Sequence, residues 1–290
     1  MVTIDLITGF LGSGKTTFLK KYAEYLMDQG LHIGILENDF GAINVDMLML
    51  HELRGDQCEL EMIAGGCDAE SHRRRFRTKL ISMRMCGYDR VLVEPSGIYD
   101  VDEFFDVLRE EPLDQWYEIG NVIAILDARL EDNLSQQADY LLASEAANAG
   151  KVILSHADAA TREQCEDTVA HLNRALEQIR CDRRIDPEKD ILQINLTDLT
   201  KEDLEEVSKC GYRLESYRKM DLENGQSFDS LFFMEEKIKP EALERAVPRL
   251  FSDKSCGEVF RIKGFVKNGA GQWMELNATP DSHTMQSVAV

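Results

Sequence analysis

With 290 residues, 43% of them hydrophobic, 30% charged and only six proline, the chain has the composition of a folded protein with room for one large core and a smaller second one. Its 33 basic against 53 acidic residues leave a net charge of −20, which repels phosphate backbones and anionic lipid heads. Nucleic acid and membrane are therefore set aside as partners.

Short runs rich in Val and Ile alternate with longer stretches of helical spacing, the pattern of parallel strands joined by crossover helices. Strands are expected at 2–7, 32–37, 90–94, 122–126, 151–154 and 191–194, and helices near 15–29, 70–86, 100–110, 133–148, 162–180 and 201–209. The fold class is α/β over residues 1–211, a mainly parallel sheet flanked by helices. Beyond Gly211 the pattern changes to extended segments at 212–220, 227–233, 258–266 and 273–277 around one helix at 240–251, a small α+β domain over 212–290. Its tail, 280–290, ends without a closing turn or cap, so the small domain is expected to be incomplete. Seven cysteines, odd in number and without a CxxC pair, fit reduced thiols. With no basic-then-apolar leader and no bilayer-length apolar stretch, a cytoplasmic protein is expected.

The most informative segment opens the first helix. Gly9-Phe10-Leu11-Gly12-Ser13-Gly14-Lys15-Thr16 fills every fixed position of G-x-x-x-x-G-K-[ST], directly after one strand and at the start of one helix. Glycines let the backbone of such a P-loop wrap so that its N–H groups converge on phosphate oxygens at the positive end of the helix. Gly9, Gly12, Ser13, Gly14, Lys15, Thr16 and Thr17 are therefore the expected triphosphate ligands. Lys15 brings a full charge to the outer phosphates, and the Thr16 hydroxyl is placed to ligate Mg²⁺.

Three strand ends supply further candidates. Arg90-Val91-Leu92-Val93-Glu94 is an apolar strand ending in a carboxylate, followed by Pro95-Ser96-Gly97. Glu94 is expected to orient Mg²⁺, and Gly97, lacking Cβ, to bring its N–H to the γ-phosphate and move when that phosphate leaves. After the second strand comes Glu37-Asn38-Asp39-Phe40-Gly41, in which Asp39 reads either as the group ordering the attacking water or a Mg²⁺-bound water, or as an Asx turn. Ser155-His156-Ala157-Asp158 ends the fifth strand, where GTPases carry Asn-Lys-x-Asp. A carboxylate there accepts paired hydrogen bonds from N1–H and the N2 amine of guanine, which adenine lacks, so Asp158 favours GTP. His156 stands where the usual lysine packs over the base, and an imidazole can stack there too. The alternative for Asp158 is the N-cap of the next helix.

With these motifs in this order, and Gly65-Gly66-Cys67 between them, the chain resembles the CobW branch of the metallochaperone GTPases, relatives of HypB and UreG. Arg261-Ile262-Lys263-Gly264 followed by Trp273 resembles the start of the small C-terminal domain of CobW proteins. The resemblance implies weak GTP hydrolysis coupled to delivery of Zn²⁺ or Co²⁺, or to service of a cofactor such as cobalamin. It implies a client, a metalloprotein or a cobalamin-dependent enzyme. CobW-like proteins usually carry Cys-x-Cys-Cys where this chain has Cys67-Asp68-Ala69-Glu70, so one thiol of three remains. Where the family often has Asn-Glu-Phe-Gly-Glu, this chain has Asp39 and Ala42. Cys67 with Asp68, Glu70, Glu37 or His72 makes a harder, mixed metal site; the alternative is a small core residue.

Residues 73–79, Arg-Arg-Arg-Phe-Arg-Thr-Lys, form a basic island that reads as a docking patch for an acidic partner or as a solvated helix face, with His72, Phe76, Leu80 and Met83 sharing the opposite side. Two functions from different classes follow: a slow GTPase loading a metal or metal cofactor, and a GTP-gated module that grips a partner without carrying a metal. A small-molecule kinase shares the loop, but no lid-like arginine segment is present and Asp158 argues against it.

Overall fold

The computed structural model describes residues 1–10, 12–39, 50–64, 69–95, 101–130, 134–219, 238–257, 259, 262–280 and 282–287; for Asn38, Asp39, Ala64, Ala69 and Ser282 it describes the backbone alone. Contacts divide the chain into two units, Met1–Phe228 and Asp229–Val290.

The first unit is built on seven strands: β1 (Val2–Thr8), β2 (Ile33–Asp39), β3 (Cys58–Ala64), β4 (Arg90–Pro95), β5 (Tyr117–Asp127), β6 (Lys151–Ser155) and β7 (Ile191–Gln193). They pair in parallel in the order β3-β2-β4-β1-β5-β6-β7. Connecting them are α1 (Lys15–Asp28), α2 (Ala69–Arg84), α3 (Val101–Leu108), the single turn α4 (Leu113–Trp116), α5 (Gln136–Ala147), α6 (Arg162–Gln178) and α7 (Lys201–Val207). The α/β expectation is met, and each strand and helix expected over residues 1–211 has an observed counterpart.

The apolar runs behave as strands buried on both faces. On β5, Val122, Ala124 and Leu126 enter one core while Ile123 and Ile125 enter the other; on β6, Val152 and Leu154 separate from Ile153 in the same way. The first core takes Phe76 and Leu80 of α2, Phe104 of α3, Leu141 of α5 and Leu172 of α6. The second takes Phe18, Leu19 and Tyr22 of α1 with Leu204 and Val207 of α7. Both cores press the strands into one register, so their C-terminal ends line a common edge. β1 sits in the middle, flanked by β4 and β5, at the point where connections leave in opposite directions and ligands bind in open α/β sheets.

The middle of β1 is tied to its neighbours by a buried polar cluster. Asp5, fully buried, accepts from Tyr22 of α1 at 2.8 Å and from the Asn121 backbone of β5 at 2.8 Å, and lies 3.2 Å from the Arg90 guanidinium of β4. Burial pushes its carboxyl up, against the pull of Arg90 and these hydrogen bonds. One network thus joins three strands and a helix.

Two readings needed correction. Strand β3 was not expected: Glu59 and Glu61 interrupt its apolar residues, because it is an edge strand. The extended segment expected at 212–220 is irregular through residue 219 apart from a bridge at Tyr212, and it lies along the first unit, with Arg213 N–H donating to the Asn148 carbonyl at 2.9 Å and Arg218 N–H to that of Ile179 at 2.7 Å.

In the second unit α8 (Pro240–Ser252) follows as expected, and β8 (Ile262–Lys267), β9 (Trp273–Thr279) and β10 (Ser282–Ser287) form an antiparallel sheet. Strand β10 lies within the tail 280–290, where no strand was expected. The segment expected at 227–233 lies outside the described residues, as does Arg261. Among the described residues no helix is long and apolar enough to cross a membrane.

Candidate functional site

Three other helices of the first unit set off the start of α1. Ser135, Thr161 and Thr200 cap α5, α6 and α7 with side-chain oxygens, the last two in capping boxes. α1 instead begins at Gly14, with φ +92 and no side-chain cap, and carries no acidic residue in its first turn. Its leading N–H groups and positive dipole end are met by no capping side chain, the arrangement that suits an anion.

The loop side chains gather around that terminus. Lys15 is buried, its Nζ donating to the Gly9 carbonyl at 2.7 Å and to Phe10 at 3.4 Å. The Ser13 and Thr8 hydroxyls are buried with no hydrogen-bond partner among the described residues. Orphaned polar atoms of that kind cost free energy unless a ligand completes them, and phosphate oxygens would complete Ser13. Gly12 and Thr17 flank the same turn, half-buried.

Beside the loop, the Thr16 hydroxyl donates to Glu94 Oε1 at 2.9 Å, both side chains buried. A hydroxyl and a carboxylate are hard oxygen donors, the type Mg²⁺ takes, so the residues present fit that ion. The two sequence candidates for it, 78 positions apart, are brought together because β4 lies next to β1. Glu37, also buried, is the register partner of Glu94 on β2.

Glu145 of α5 was missed by sequence reasoning, hidden in an alanine-rich helix. It is fully buried, and neither carboxylate oxygen has a hydrogen-bond partner among the described residues. Burial pushes its carboxyl up to about 8, with the Lys15 ammonium pulling the other way. The unfolded chain ionises this group near 4.5, so the folded state holds the extra proton between about 4.5 and 8. Its contribution to stability is fully present below that window and is lost as pH rises through it. Glu145→Gln, which cannot ionise, is expected to flatten the pH dependence of thermal stability and to be the more stable of the two proteins at pH 7. Melting curves of both proteins from pH 5 to 8.5 check this; parallel curves would contradict it.

Two strands away from β1, about 10 Å at the usual spacing, β6 ends in Ser155 and His156. Ser155 is buried and donates to the Leu126 carbonyl at 3.0 Å. His156 Nδ1 lies 3.1 Å from Asp127 Oδ2 and 3.2 Å from Ser155 Oγ. Asp127 ends β5 and accepts from the Arg129 guanidinium at 3.0 and 2.8 Å and from the Arg129 amide at 2.9 Å. Burial would push the Asp127 carboxyl up; hydrogen bonds from His156 and Arg129 outweigh it and hold the group well below the usual carboxylate range. Sequence reasoning passed over Asp127 and Arg129, although Leu126-Asp127 shows the same signal as Glu94, an apolar strand closing on a carboxylate. Asp158 is exposed, and nothing among the described residues bonds its carboxylate. It is not the cap of the next helix, since Thr161 fills that position.

The metal candidates fare differently. Cys67, Asp68 and Gly97 lie outside the described residues, and Asp39 closes β2 with only its backbone described. His72 is fully buried with Nδ1 3.2 Å from Glu103 of α3, and among the described residues no group of three His, Cys, Asp or Glu is placed to hold a metal. The basic island is largely spent within the protein: Arg73 and Arg77 both engage Glu110, at 2.7 and 2.9 Å, and Lys79 engages Glu61 at 2.7 Å. Phe76, Leu80 and Met83 are buried together, as the helical spacing requires.

Comparison with known proteins gives a consistent picture. Residues 3–185 match the family model described as CobW/HypB/UreG, nucleotide-binding domain. The zinc chaperone YjiA of Escherichia coli (strain K12) is 30% identical over 186 residues, covering 59% of this chain and 55% of the relative. The zinc chaperone YeiR of the same organism is 28% identical over 164 residues, covering 56% and 49%. The chain thus spans about half the length of the curated relatives it matches. Among solved structures, the zinc-bound YjiA GTPase from E. coli superposes with a TM-score of 0.45 at 20% identity, over 99% of this chain and 89% of that one.

Proposed function

The chain belongs to the CobW/HypB/UreG nucleotide-binding domain family, and from that premise we propose that it is a slow, Mg²⁺-dependent GTPase acting in the cytoplasm as a metallochaperone or metal-cofactor loading factor. The observation that carries this reading is the uncapped start of α1, with Lys15 and the unbonded Ser13 hydroxyl gathered on it.

In this reading the loop amides and Lys15 stabilise charge developing on the leaving phosphates. Thr16 and Glu94 would hold Mg²⁺, which would supply positive charge against the developing phosphate charge. Asp39 orients the attacking water, and Gly97 senses the γ-phosphate. Asp158 reads guanine, with the His156 ring against the base and Ser155 holding the turn.

Relatives named as zinc chaperones make Zn²⁺ the first cargo to test and Co²⁺ the second, with Cys67 as its soft ligand and a metalloprotein or cobalamin-dependent enzyme as client. A second reading, a GTP-gated partner-binding module without a transferred metal, is favoured by the single thiol at position 67.

Calorimetry with GTP and with ATP, each with Mg²⁺ and with or without Zn²⁺, tests both. The proposal expects a preference for GTP of at least tenfold, abolished by Asp158→Ala, and Zn²⁺ binding that depends on Cys67. Equal affinity for the two nucleotides in the parent would overturn the guanine assignment. Absence of Zn²⁺ binding with guanine preference retained would select the second reading.

A further inference from the structure

One residue of the base-side cluster holds a backbone conformation that its type disfavours. His156 has φ +54; among the described residues only Arg180 shares that property without being glycine. A side chain in the left-handed region is strained, so its surroundings must hold it there. Ser155 Oγ donates to Leu126, which leaves it an acceptor toward the imidazole, and the Asp127 carboxylate accepts as well. The proton is thereby assigned to Nδ1, and the ring is fastened on that side.

Asp127 is itself immobilised. It faces Ser155 in the β5–β6 register, and Arg129 gives it three hydrogen bonds. Beyond the ring, the Ala159 N–H donates to the His156 carbonyl at 3.1 Å and closes a turn whose third residue is Asp158. The conformation at residue 156 therefore decides where the Asp158 carboxylate is presented.

We propose that Asp127, clamped by Arg129, is a positioning residue for base recognition: acting through His156, it fixes the turn that offers Asp158 to guanine. The inference rests on the assignment of Asp158 as the guanine reader. It adds a specificity determinant on the neighbouring strand that does not itself touch the nucleotide.

The test measures affinities for GTP, ATP and inorganic tripolyphosphate, all with Mg²⁺, in the parent, Asp127→Ala, His156→Gly, the double variant and Asp158→Ala. Asp127→Ala is expected to cut the GTP-over-ATP preference about five- to tenfold while leaving tripolyphosphate affinity unchanged, a split that general loosening of the fold would not give. Glycine at 156 removes both ring and strain, so in that background Asp127→Ala should change the preference no further. Should Asp127→Ala fail to fold, Asp127→Asn, which keeps the shape and loses the charge, is read by the same criteria.

An unchanged preference in Asp127→Ala, with Asp158→Ala abolishing it, would overturn the inference and leave the guanine assignment standing. Equal effects of Asp127→Ala with and without His156 would overturn the route through the ring. An unchanged preference in Asp158→Ala would overturn the guanine assignment and this inference with it.

Discussion

Replacing Lys15 with alanine is expected to weaken guanine-nucleotide binding by about 100-fold, the equivalent of about 3 kcal/mol for a charge-assisted contact to phosphate, while the chain stays folded. The ammonium group lies buried against the Gly9 and Phe10 carbonyls, at the mouth of a helix with no side-chain cap. Its loss removes the one full positive charge of the loop, and the amides and the Ser13 hydroxyl remain. Residual binding, rather than none, should therefore be seen by calorimetry, and GTP hydrolysis should fall at least as far. Binding as tight as the parent's would mean that the loop does not hold the triphosphate.

Gly9→Ala is expected to have the second large effect, for a different reason. At φ +146 and leaving β1 directly against β5, Gly9 has no space for a side chain: a Cβ would lie 2.1 Å from the Ile125 carbonyl oxygen. That atom is backbone within a central strand and cannot swing aside. The cost, backbone strain plus displacement of β1 or β5, is on the order of 3–5 kcal/mol, roughly 10 °C in melting temperature, and the cradle is distorted with it. Gly30→Ala is the control. Gly30 also has positive φ, +83, but nothing lies within 4 Å of its would-be Cβ, so it bears backbone strain alone, about 1 kcal/mol. Equal melting temperatures for the two variants would contradict the crowding argument.

What the sequence made legible follows from how far apart the cooperating residues lie. The phosphate loop is one contiguous segment whose glycines, lysine and threonine each answer a local requirement, and it stands where the spacing put it. Glu94 was legible because an apolar strand closing on a carboxylate is a local signal; its hydrogen bond to Thr16 also required β4 to neighbour β1, which strand order alone decides. The clamp of Asp127 on His156 spans 29 positions and exists only through the β5–β6 register, so neither residue announces it. Strand β3 escaped because an edge strand need satisfy only part of the apolar pattern: Cys58 and Ile63 are buried while Met62 is exposed and Glu59 and Glu61 bond to Tyr88 and Lys79. Arg73 and Arg77, read as part of a basic surface, are paired with Glu110, a partner more than thirty residues away.

A protein with a charge of −20 can serve the proposed triphosphate only through local electrostatics. An acidic excess repels phosphates from the surface at large, so a polyanion depends on the local field that the start of α1 and Lys15 supply. Binding should accordingly depend on Mg²⁺, which masks part of the triphosphate charge before it meets Glu94 and Glu37.

The most direct measurement is a crystal structure of the whole chain with Mg²⁺ and a non-hydrolysable GTP analogue. The account predicts the triphosphate wrapped by residues 9–17, an oxygen bonded to the Ser13 hydroxyl, Lys15 moved off the Gly9 carbonyl, and the guanine edge on Asp158. A nucleotide found elsewhere, or crystals in which Lys15 keeps its bond to Gly9 at saturating ligand, would contradict it.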